Sequence, residues 1–451
     1  MARAKKEAAL TPEERLQAAL VPDWEWPYKL PENWCWTTIK NVATVVTGGT
    51  PAKNNSDYYG GEFPFFKPAD LDAGRHVSEA SEYLSDLGKS VSRIIPAQAT
   101  AVCCIGSIGK CGFLDVEGAT NQQINSAIPY FNALYQYFYM NTEFFTNQLR
   151  NSASATTIAI VNKTKMESCY YPLAPLAEQQ RIVDRIESLF AKLDEVKEKA
   201  QAVVDSFETR KAAILHKAFT GELTAKWREE HGVGMDSWEK KSVGELCISL
   251  KYGTAKKSDA SGNVVVLRMG NLQQGEIDWS DLAYSNDPDD IEKYKLFPGD
   301  VLFNRTNSAA LVGKTAIYRG EHPAIYAGYL IKLDYDRDKI IGDYLNYALN
   351  TLDAKKYCNS VKTDGVNQSN INAKKIGAYS FNVPSIPEQE KIVSVIQKLL
   401  SKEQQAKEAA EAVLDQIDLM KKSILARAFR GELGTNDPNE ESAVELLKQL
   451  N

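Results

Sequence analysis

A gapless internal repeat constrains this chain more than any other feature. Residues 178–223 and 388–433 align at a separation of 210 positions, and about 21 of the 46 aligned positions are identical. Each copy ends in Gly-Glu-Leu, with the glycine where helices commonly end. Weaker similarity precedes the copies at a shift of 204, with Val42, Gly49, Thr50, Gly109 and Lys110 over Leu246, Gly253, Thr254, Gly313 and Lys314. The sequence therefore predicts two halves, each a globular domain followed by a long helix.

The repeated segment has the apolar spacing of a coiled coil. In both copies, apolar residues recur in steps of three and four, as a helix seam requires. The second copy is interrupted by Glu403. The predicted seam consists of Ile182, Ile186, Leu189, Leu193 and Val196, continuing to Phe207, and of Ile392, Ile396, Leu399, Val413 and Ile417.

The two long helices are expected to pack on each other. Roughly forty residues at 1.5 Å each make a rod of about 60 Å. Because the two halves have the same order, a pseudo-twofold axis is the natural arrangement, and it would run the rods antiparallel. The alternative is that both are long core helices, but charged strings such as Lys-Leu-Asp-Glu-Val-Lys-Glu-Lys argue against full burial.

The globular segments predict a mixed α/β (α+β) fold. Residues 30–171 and 236–381 contain short runs rich in Tyr, Phe, Thr and Val, separated by Gly, Asn, Asp and Pro. Both segments also contain polar loops whose Asn, Gln, Lys and Arg side chains can bond to base edges. A single polar loop is more often a solvated turn. The candidate DNA contacts are Lys53, Asn54, Lys110, Asn121, Gln122 and Gln123 in the first segment, and Lys256, Lys257, Arg305, Asn307, Lys314, Asn367 and Gln368 in the second.

Charge limits the nucleic-acid interpretation. Residues 31–171 contain 10 Lys and Arg against 12 Asp and Glu, and residues 236–381 contain 19 of each class. A protein that bound phosphates alone over a long footprint would be expected to show a positive excess. If DNA is the ligand, a partner is expected to provide part of the phosphate contact.

No catalytic or metal motif is recognisable in the sequence. Residues 311–315 (Leu-Val-Gly-Lys-Thr) resemble the end of a phosphate-binding loop, but Ser308 stands where its first glycine should be. The four histidines are scattered, and the seven cysteines lack metal-ligand spacing, which suits reduced thiols in a cytoplasmic protein. No run of apolar residues is long enough to span a bilayer, and the N-terminus does not resemble an export signal.

The order of the motifs resembles the specificity (S) subunit of type I restriction-modification enzymes. The phrases Glu-Gln-x-x-Ile-Val and Ala-Phe-x-Gly-Glu-Leu each occur twice at a fixed distance, and the resemblance covers nearly the whole chain. A proline stands shortly before each Glu-Gln: Pro387 directly precedes Glu388, whereas in the first copy Ala177 precedes Glu178 and Pro175 lies two places earlier. The resemblance implies an N-terminal arm with a short helix (1–29), target recognition domain 1 (30–171), spacer helix 1 (172–224), a linker (225–235), target recognition domain 2 (236–381), spacer helix 2 (382–434) and a C-terminal tail (435–451).

The resemblance also implies a function in host defence. A specificity subunit is non-catalytic and reads double-stranded DNA, while two methylation (M) subunits dock on its helices and restriction/translocation (R) subunits join them. S-adenosylmethionine, ATP and Mg would be bound by those partners, and no cofactor or metal by this chain. Two readers held apart by a rod predict an asymmetric bipartite target, whose gap is not read and is set by the rod length.

Two other classes of protein are alternatives to a specificity subunit. One is a coiled-coil scaffold with two protein-binding heads and no DNA role. The other is a self-contained restriction enzyme, which is disfavoured because nuclease and methyltransferase motifs are not recognisable in the sequence. Enrichment of a split DNA motif by the complex with its methylation partners distinguishes the specificity subunit from the scaffold.

Overall fold

The chain folds into two compact units. The structure, a computed structural model, describes residues 11–154, 159–366 and 368–450. Unit 1 comprises residues 1–200 and 412–451, and unit 2 comprises residues 201–411. Within the described ranges, no helix combines the length and the apolar character that crossing a membrane requires.

Unit 1 is built from short strands and helices that precede the first long helix. Its helices are α1 (Pro12–Ala19), α2 (Asp86–Ser90), α3 (Ala133–Met140), α4 (Glu143–Ser152) and α5 (Lys163–Glu167). Its strands are β1 (Cys35–Thr38), β2 (Ala43–Thr47), β3 (Tyr59–Phe66), β4 (Glu82–Leu84), β5 (Thr100–Cys103), β6 (Cys111–Phe113), β7 (Ala119–Thr120), β8 (Ile124–Pro129) and β9 (Tyr170–Leu173).

The repeated segment forms the long helices. The first copy contains α6 (Leu176–Asp205) and α7 (Phe207–Phe219), and the second copy is one helix that will be labelled α14 (Ile386–Ala428). Ser206, between α6 and α7, donates its backbone N–H to Ala202 O and accepts from Arg210 N. The separation of α6 from α7 is therefore a local distortion of one helical path.

Unit 2 repeats the organisation of unit 1. Its helices are α8 (Ala225–His231), α9 (Val243–Leu246), α10 (Pro288–Tyr294), α11 (Gly342–Leu349), α12 (Leu352–Val361) and α13 (Ala373–Gly377). Its strands are β10 (Glu239–Ser242), β11 (Cys247–Tyr252), β12 (Val264–Leu267), β13 (Leu272–Gln273), β14 (Glu276–Ile277), β15 (Tyr284–Ser285), β16 (Val301–Asn304), β17 (Thr306–Asn307), β18 (Thr315–Ile317), β19 (Ala324–Tyr326), β20 (Leu330–Tyr335), β21 (Thr363–Asp364), β22 (Ser369–Asn370) and β23 (Ser380–Val383). The last helix of the chain, α15 (Val444–Leu450), belongs to unit 1.

Three sheets of unit 1 have counterparts in unit 2, which also contains the small sheets β13-β14 and β17-β22-β21. The central sheet is antiparallel, in the order β2-β8-β5-β6 in unit 1 and β11-β20-β16-β18 in unit 2. A three-stranded sheet follows the same pattern in each unit, β4-β3-β7 and β15-β12-β19, with one parallel pair in each. A two-stranded ladder, β1-β9 or β10-β23, pairs the start of each globule with its end. The predicted mixed α+β fold with an internal pseudo-repeat is confirmed.

Within each unit the long helices run antiparallel. In unit 1, Lys421 of α14 contacts Asp194 of α6 at 2.5 Å, and its ammonium group lies 5.1 Å from the centre of the Phe190 ring. Earlier in α6, Arg181 donates to Thr435 O, which follows α14, at 3.0 Å. In unit 2, Glu403 of α14 pairs with Arg210 of α7, and the Lys407 ammonium group lies 5.1 Å from the centre of the Phe207 ring. Positions later in one helix therefore contact positions earlier in the other.

Polar residues occupy several positions of the contact seam. From residue 403 to the end of α14, less exposed residues alternate in steps of four and three, and Leu425 is buried beside them: Glu403, Lys407, Ala410, Leu414, Ile417, Lys421, Ile424 and Ala428. The interruption that the sequence shows at Glu403 is thus an ion pair within the seam. The predicted seam residues Val196 and Val413 are 45% and 36% exposed, because burial in α14 follows Ala410, Leu414 and Ile417 instead.

The first Glu-Gln phrase is buried at the start of α6. The Glu178 carboxylate is fully buried and accepts hydrogen bonds from Trp34 Nε1 (2.7 Å), Asn436 Nδ2 (2.8 Å) and Thr435 Oγ1 (3.3 Å). Trp34 precedes β1, and Thr435 follows the Gly-Glu-Leu of the second copy. One carboxylate therefore links the start of one repeat copy to the end of the other.

The second Glu-Gln phrase has the reciprocal contacts in unit 2. The buried Glu388 carboxylate accepts from Trp238 Nε1 (3.0 Å), Thr224 Oγ1 (2.7 Å) and Arg228 Nη1 (2.7 Å). Thr224 directly follows the Gly-Glu-Leu of the first copy. The same linkage is thus made with the roles of the two copies exchanged.

The adjacent glutamines bind the loop before a helix of the globule. Gln179 Oε1 accepts from the backbone N–H of Asn132, just before α3, at 3.2 Å. Gln389 Oε1 accepts from the N–H of Ile341, just before α11, at 3.0 Å. Glutamate and glutamine therefore fix different parts of the same globule.

The phenylalanine of each Ala-Phe-x-Gly-Glu-Leu phrase packs on a buried tyrosine. Phe429 lies against Tyr135 at 5.0 Å between ring centroids in unit 1, and Phe219 lies against Tyr344 at 4.9 Å in unit 2. Such aromatic pairs contribute about 0.5–1.5 kcal/mol beyond area burial. Burial raises the pKa of both tyrosines, so their hydroxyls remain donors, to Pro172 O and Asn382 O respectively.

The N-terminal arm and the C-terminal tail share the core of unit 1. Leu16 and Ala19 of α1 and Leu447 of α15 belong to one buried cluster. Arg181 of α6 donates two hydrogen bonds to the Glu440 carboxylate, at 2.7 and 2.8 Å. These bonds hold the pKa of Glu440 below the usual range of a glutamate. The tail is therefore part of the packed unit.

A matched pair of substitutions tests the seam in α14. Ile417 is 1% exposed, whereas Val413, one turn earlier, is 36% exposed. We expect Ile417→Ala to lower the free energy of unfolding by about 2–5 kcal/mol, because it leaves a cavity. Val413→Ala is expected to lower it by less than about 1 kcal/mol. Chemical denaturation of both variants measures this, and equal losses would contradict the observed seam.

Candidate nucleic-acid interface

Three loops of unit 2 meet at one end of its central sheet. Tyr252 pairs with Ile331 and Asn304 with Leu330, so β11 and β16 end where β20 begins. Phe303 pairs with Thr315, which places the start of β18 at the same end. We call this the loop end of unit 2, and it consists of residues 252–263, 305–314 and 327–329.

A hairpin extends the loop end of unit 2. Strands β21 and β22 pair with each other, and β22 also pairs with β17, which lies in the loop after β16. The backbone N–H of Gly365 donates to Gln368 O at 2.8 Å and closes the turn. We call residues 363–370 the 363–370 hairpin. The polar loops of the second globule thus lie on one surface.

Unit 1 has the corresponding loop end. Thr47 pairs with Asn125, Cys103 with Ile124, and Val102 with Cys111. The loop end of unit 1 therefore consists of residues 48–58, 104–110 and 121–123. Ile160 forms antiparallel bridges with Ile105, in the loop end, and with Ser154.

Arg305 connects three parts of the loop end of unit 2. Its guanidinium donates to Gly328 O (3.3 Å) and to Asn370 Oδ1 (3.1 Å) in the 363–370 hairpin. The same group lies over the Tyr252 ring, 4.9 Å from its centre. Asn370 in turn donates to Thr306 Oγ1 at 2.8 Å. Arg305 therefore fixes the base of the hairpin against the sheet.

The other predicted residues of unit 2 that the structure describes lie on the same surface. Some are bonded to neighbouring side chains, and others are exposed. Lys256 contacts Asp287 at 2.6 Å and Asp290 at 3.4 Å, and the bond from Lys256 lowers the pKa of Asp287. Lys314 Nζ donates to Gln273 Oε1 at 2.7 Å. Lys257 and Gln368 are exposed, Asn307 Oδ1 accepts from Ser308 N, and Asn367 lies outside the described residues.

The predicted residues of unit 1 divide in the same way. Lys53 and Asn54 are exposed. Lys110, at the position corresponding to Lys314, contacts Asp72 at 2.5 Å. Gln122 accepts from Thr50 Oγ1, and the buried Asn121 donates to Gln123 Oε1 at 2.9 Å. The exposed groups are free to meet a ligand, while the bonded groups position the loops.

Aromatic and apolar residues of the loop end were not among the predicted contacts. Tyr252, Leu311, Tyr329 and Val366 are all exposed. In unit 1, Arg93 donates to Thr47 O at 2.6 Å and so lies beside the loop end. An aromatic residue next to cations, as in Lys-Tyr-Gly-Thr-Ala-Lys-Lys, was a usable signal for Tyr252. Arg93 has no such signal, because it comes from another part of the chain.

The remaining chemistry-bearing residues are structural. Burial raises the pKa of the Cys104 thiol to about 12 and of Cys358 to about 11. Gly313 of Leu-Val-Gly-Lys-Thr has φ of +92° and donates its N–H to Asn304 O at 2.8 Å, as in a tight turn before β18. Within the described part of the chain, no group of His, Cys, Asp and Glu has an arrangement suited to a metal.

Comparison with known proteins identifies the family. The sequence model described as "Type I restriction modification DNA specificity domain" matches residues 31–204 and 235–412, more than half of the chain. The chain belongs to this family. The members that it resembles are non-catalytic specificity subunits, and this chain is a specificity subunit of that kind.

Curated relatives and a solved structure agree with this assignment. The chain is 24% identical over 424 residues to the type I restriction enzyme StySPI specificity subunit of Salmonella potsdam, covering 90% of each protein. It is 24% identical over 454 residues to the EcoKI specificity subunit of Escherichia coli K12, covering 94% of this chain and 96% of that one. The crystal structure of the HsdS subunit from Thermoanaerobacter tengcongensis has the same fold, with a TM-score of 0.64 at 20% identity, over 90% of this chain and 99% of that one.

A conservative substitution tests the role of Arg305. Lysine keeps the charge but cannot donate to Gly328 and Asn370 together, so the 363–370 hairpin should open more often. We expect hydrogen exchange in residues 363–370 to accelerate about fivefold in Arg305→Lys, which is the effect of losing about 1 kcal/mol of hydrogen bonding. Arg319→Lys is the control, since Arg319 pairs with Glu276 and Asp343 elsewhere in unit 2. Unchanged exchange in Arg305→Lys would contradict the role of this residue.

Proposed function

We propose that this chain reads an asymmetric, bipartite double-stranded DNA target, with one half-site read by the loop end of each unit. The observation that carries the proposal is that side chains able to hydrogen-bond to base edges lie at the loop ends of both units, at corresponding ends of two similar sheets. Phosphate contacts position a protein on DNA, whereas groups that reach base edges specify the sequence. The exposed residues Lys53, Asn54, Lys257 and Gln368 are suited to these roles.

The two loop ends differ in chemistry. The loop end of unit 1 is rich in amides, with Asn54, Asn121, Gln122 and Gln123. The loop end of unit 2 combines Arg305 with exposed aromatic and apolar residues. Amides pair best with adenine, whereas apolar groups contact the thymine methyl group. The two half-sites are therefore different sequences, and the whole target is asymmetric.

Partner subunits complete the DNA complex. The globules have no positive excess, and Lys110 and Lys256 are already paired with aspartates. We propose that two methylation subunits dock on the long helices and provide further phosphate contacts. Exposed Leu419 and Met420 on α14 support such docking. The antiparallel helices would act as the spacer that sets the unread gap between the half-sites.

The proposed complex works in the cytoplasm as part of a restriction-modification system. Restriction/translocation subunits join the methylation subunits. The partners bind S-adenosylmethionine, ATP and Mg, and they carry out methylation, translocation and cleavage. This chain selects the DNA sequence on which they act. Selection and catalysis are thus divided between different polypeptides.

Selection from random duplex DNA tests the proposed function. The complex of this chain with its methylation subunits is expected to enrich a motif of two different half-sites separated by an unread gap of fixed length. The double substitution Lys53→Ala and Asn54→Ala should relax one half-site alone, and Lys257→Ala should affect the other alone. Enrichment of no split motif would overturn the proposal and favour a protein-binding scaffold.

A further inference from the structure

Exposed apolar and aromatic side chains gather at the loop end of unit 2. Tyr252, Leu311, Tyr329 and Val366 come from four separate parts of this surface. Scattered single apolar residues on a surface need no explanation, but a group at the site proposed to bind a ligand does. Val366 is the extreme member, because its side chain is fully exposed.

The position of Val366 is held by contacts at the foot of the 363–370 hairpin. Asn370 is fixed by Arg305 and Thr306, as described above. Lys362 Nζ donates to Ala309 O at 3.0 Å, and Lys375 Nζ donates to Thr363 Oγ1 at 2.6 Å. The foot therefore has bonds to the loop after β16 and to α13.

Two described residues of the hairpin turn are exposed to solvent. Gly365 closes the turn through its N–H, and Gln368, two residues beyond Val366, is also exposed. A two-stranded ribbon has a width that the DNA major groove accepts. Among the residues that the structure describes, the hairpin thus combines an anchored foot with the exposed aliphatic side chain of Val366 and the exposed amide of Gln368.

We propose that the 363–370 hairpin enters the major groove and that Val366 contacts the 5-methyl group of a thymine there. The thymine methyl is the one apolar group that base pairs present in this groove, so it is the natural partner for an aliphatic tip. Burying the methyl group against Val366 removes apolar surface of both from water. This inference rests on the proposed function and specifies the base chemistry that unit 2 recognises.

The neighbouring groups fit the same contact. Gln368 carries an amide, which pairs with adenine, so both exposed tip residues are suited to A·T pairs. Lys362 at the foot is paired with Asp364 at 3.9 Å, whereas Lys375 adds positive charge beside the hairpin that a phosphate flanking the groove can meet. Val366 is therefore a specificity-determining residue, while Arg305 positions the hairpin that carries it.

Replacing thymine by deoxyuridine isolates the methyl group. Duplexes are taken from the motif that the complex selects, and each thymine is changed in turn to deoxyuridine. In the wild-type complex, one such change in the half-site read by unit 2 should weaken binding about fourfold, the factor that corresponds to burial of one methyl-sized group. In Val366→Ala the same change should have no effect, because the partner of the methyl group is gone.

Matched variants separate this contact from unrelated causes. Ile248→Ala removes an exposed aliphatic side chain near the start of β11, away from the loop end, and should keep the full effect of deoxyuridine. Unchanged melting temperatures of both variants verify that the fold is intact.

The possible results distinguish the two proposals. Selection of no split motif would overturn the proposed function and this inference with it. A split motif with no thymine dependence in either half-site, or a dependence that persists in Val366→Ala, would overturn this inference alone. The same holds if Val366→Ala impairs complex assembly but leaves base preference intact, since Val366 would then contact a partner protein.

Discussion

Two buried carboxylates, Glu178 and Glu388, are the interaction on which the rest of the structure depends. An ionised carboxylate without partners is costly inside a protein, and removing one partner of a buried charge costs several kcal/mol. Each carboxylate here is satisfied by a tryptophan indole from before the first strand and by side chains that follow the Gly-Glu-Leu of the other repeat copy. Neither globule can therefore complete its core with its own helix alone.

These reciprocal contacts explain why the two repeat copies are similar in sequence while the two globules differ. Three of the repeated residues have partners in the other copy or in the adjoining globule: the glutamate, the neighbouring glutamine and the phenylalanine that packs on a buried tyrosine. None of these contacts of the glutamate, the glutamine and the phenylalanine involves a residue of the loop ends of the central sheets. Their sequences can therefore differ between the units, as amide-rich and aromatic surfaces do here, without loss of the fold.

The sequence predicted the fold through its repeat and the candidate surface through its polar loops. The loops could be found because their Asn, Gln, Lys and Arg side chains can bond to base edges. Their position at one end of the sheet depends on pairing between distant strands, which the sequence does not reveal. The roles of Glu178 and Glu388 were not predictable, since glutamates in a charged helix are usually solvated. Lys110 and Lys314 show the other limit. Their partners Asp72 and Gln273 come from distant parts of the chain, and no local pattern reveals such pairs.

Hydrogen exchange in single-carboxylate variants tests the reciprocal linkage most directly. In Glu178→Ala, exchange should accelerate both in β1 and in residues 435–447, while residues 224–231 and β10 of unit 2 keep their wild-type rates. Glu388→Ala should give the mirror result, with faster exchange in residues 224–231 and β10 and none in β1 or the tail. Acceleration confined to the helix around the substituted residue, or equal acceleration in both units, would contradict the account.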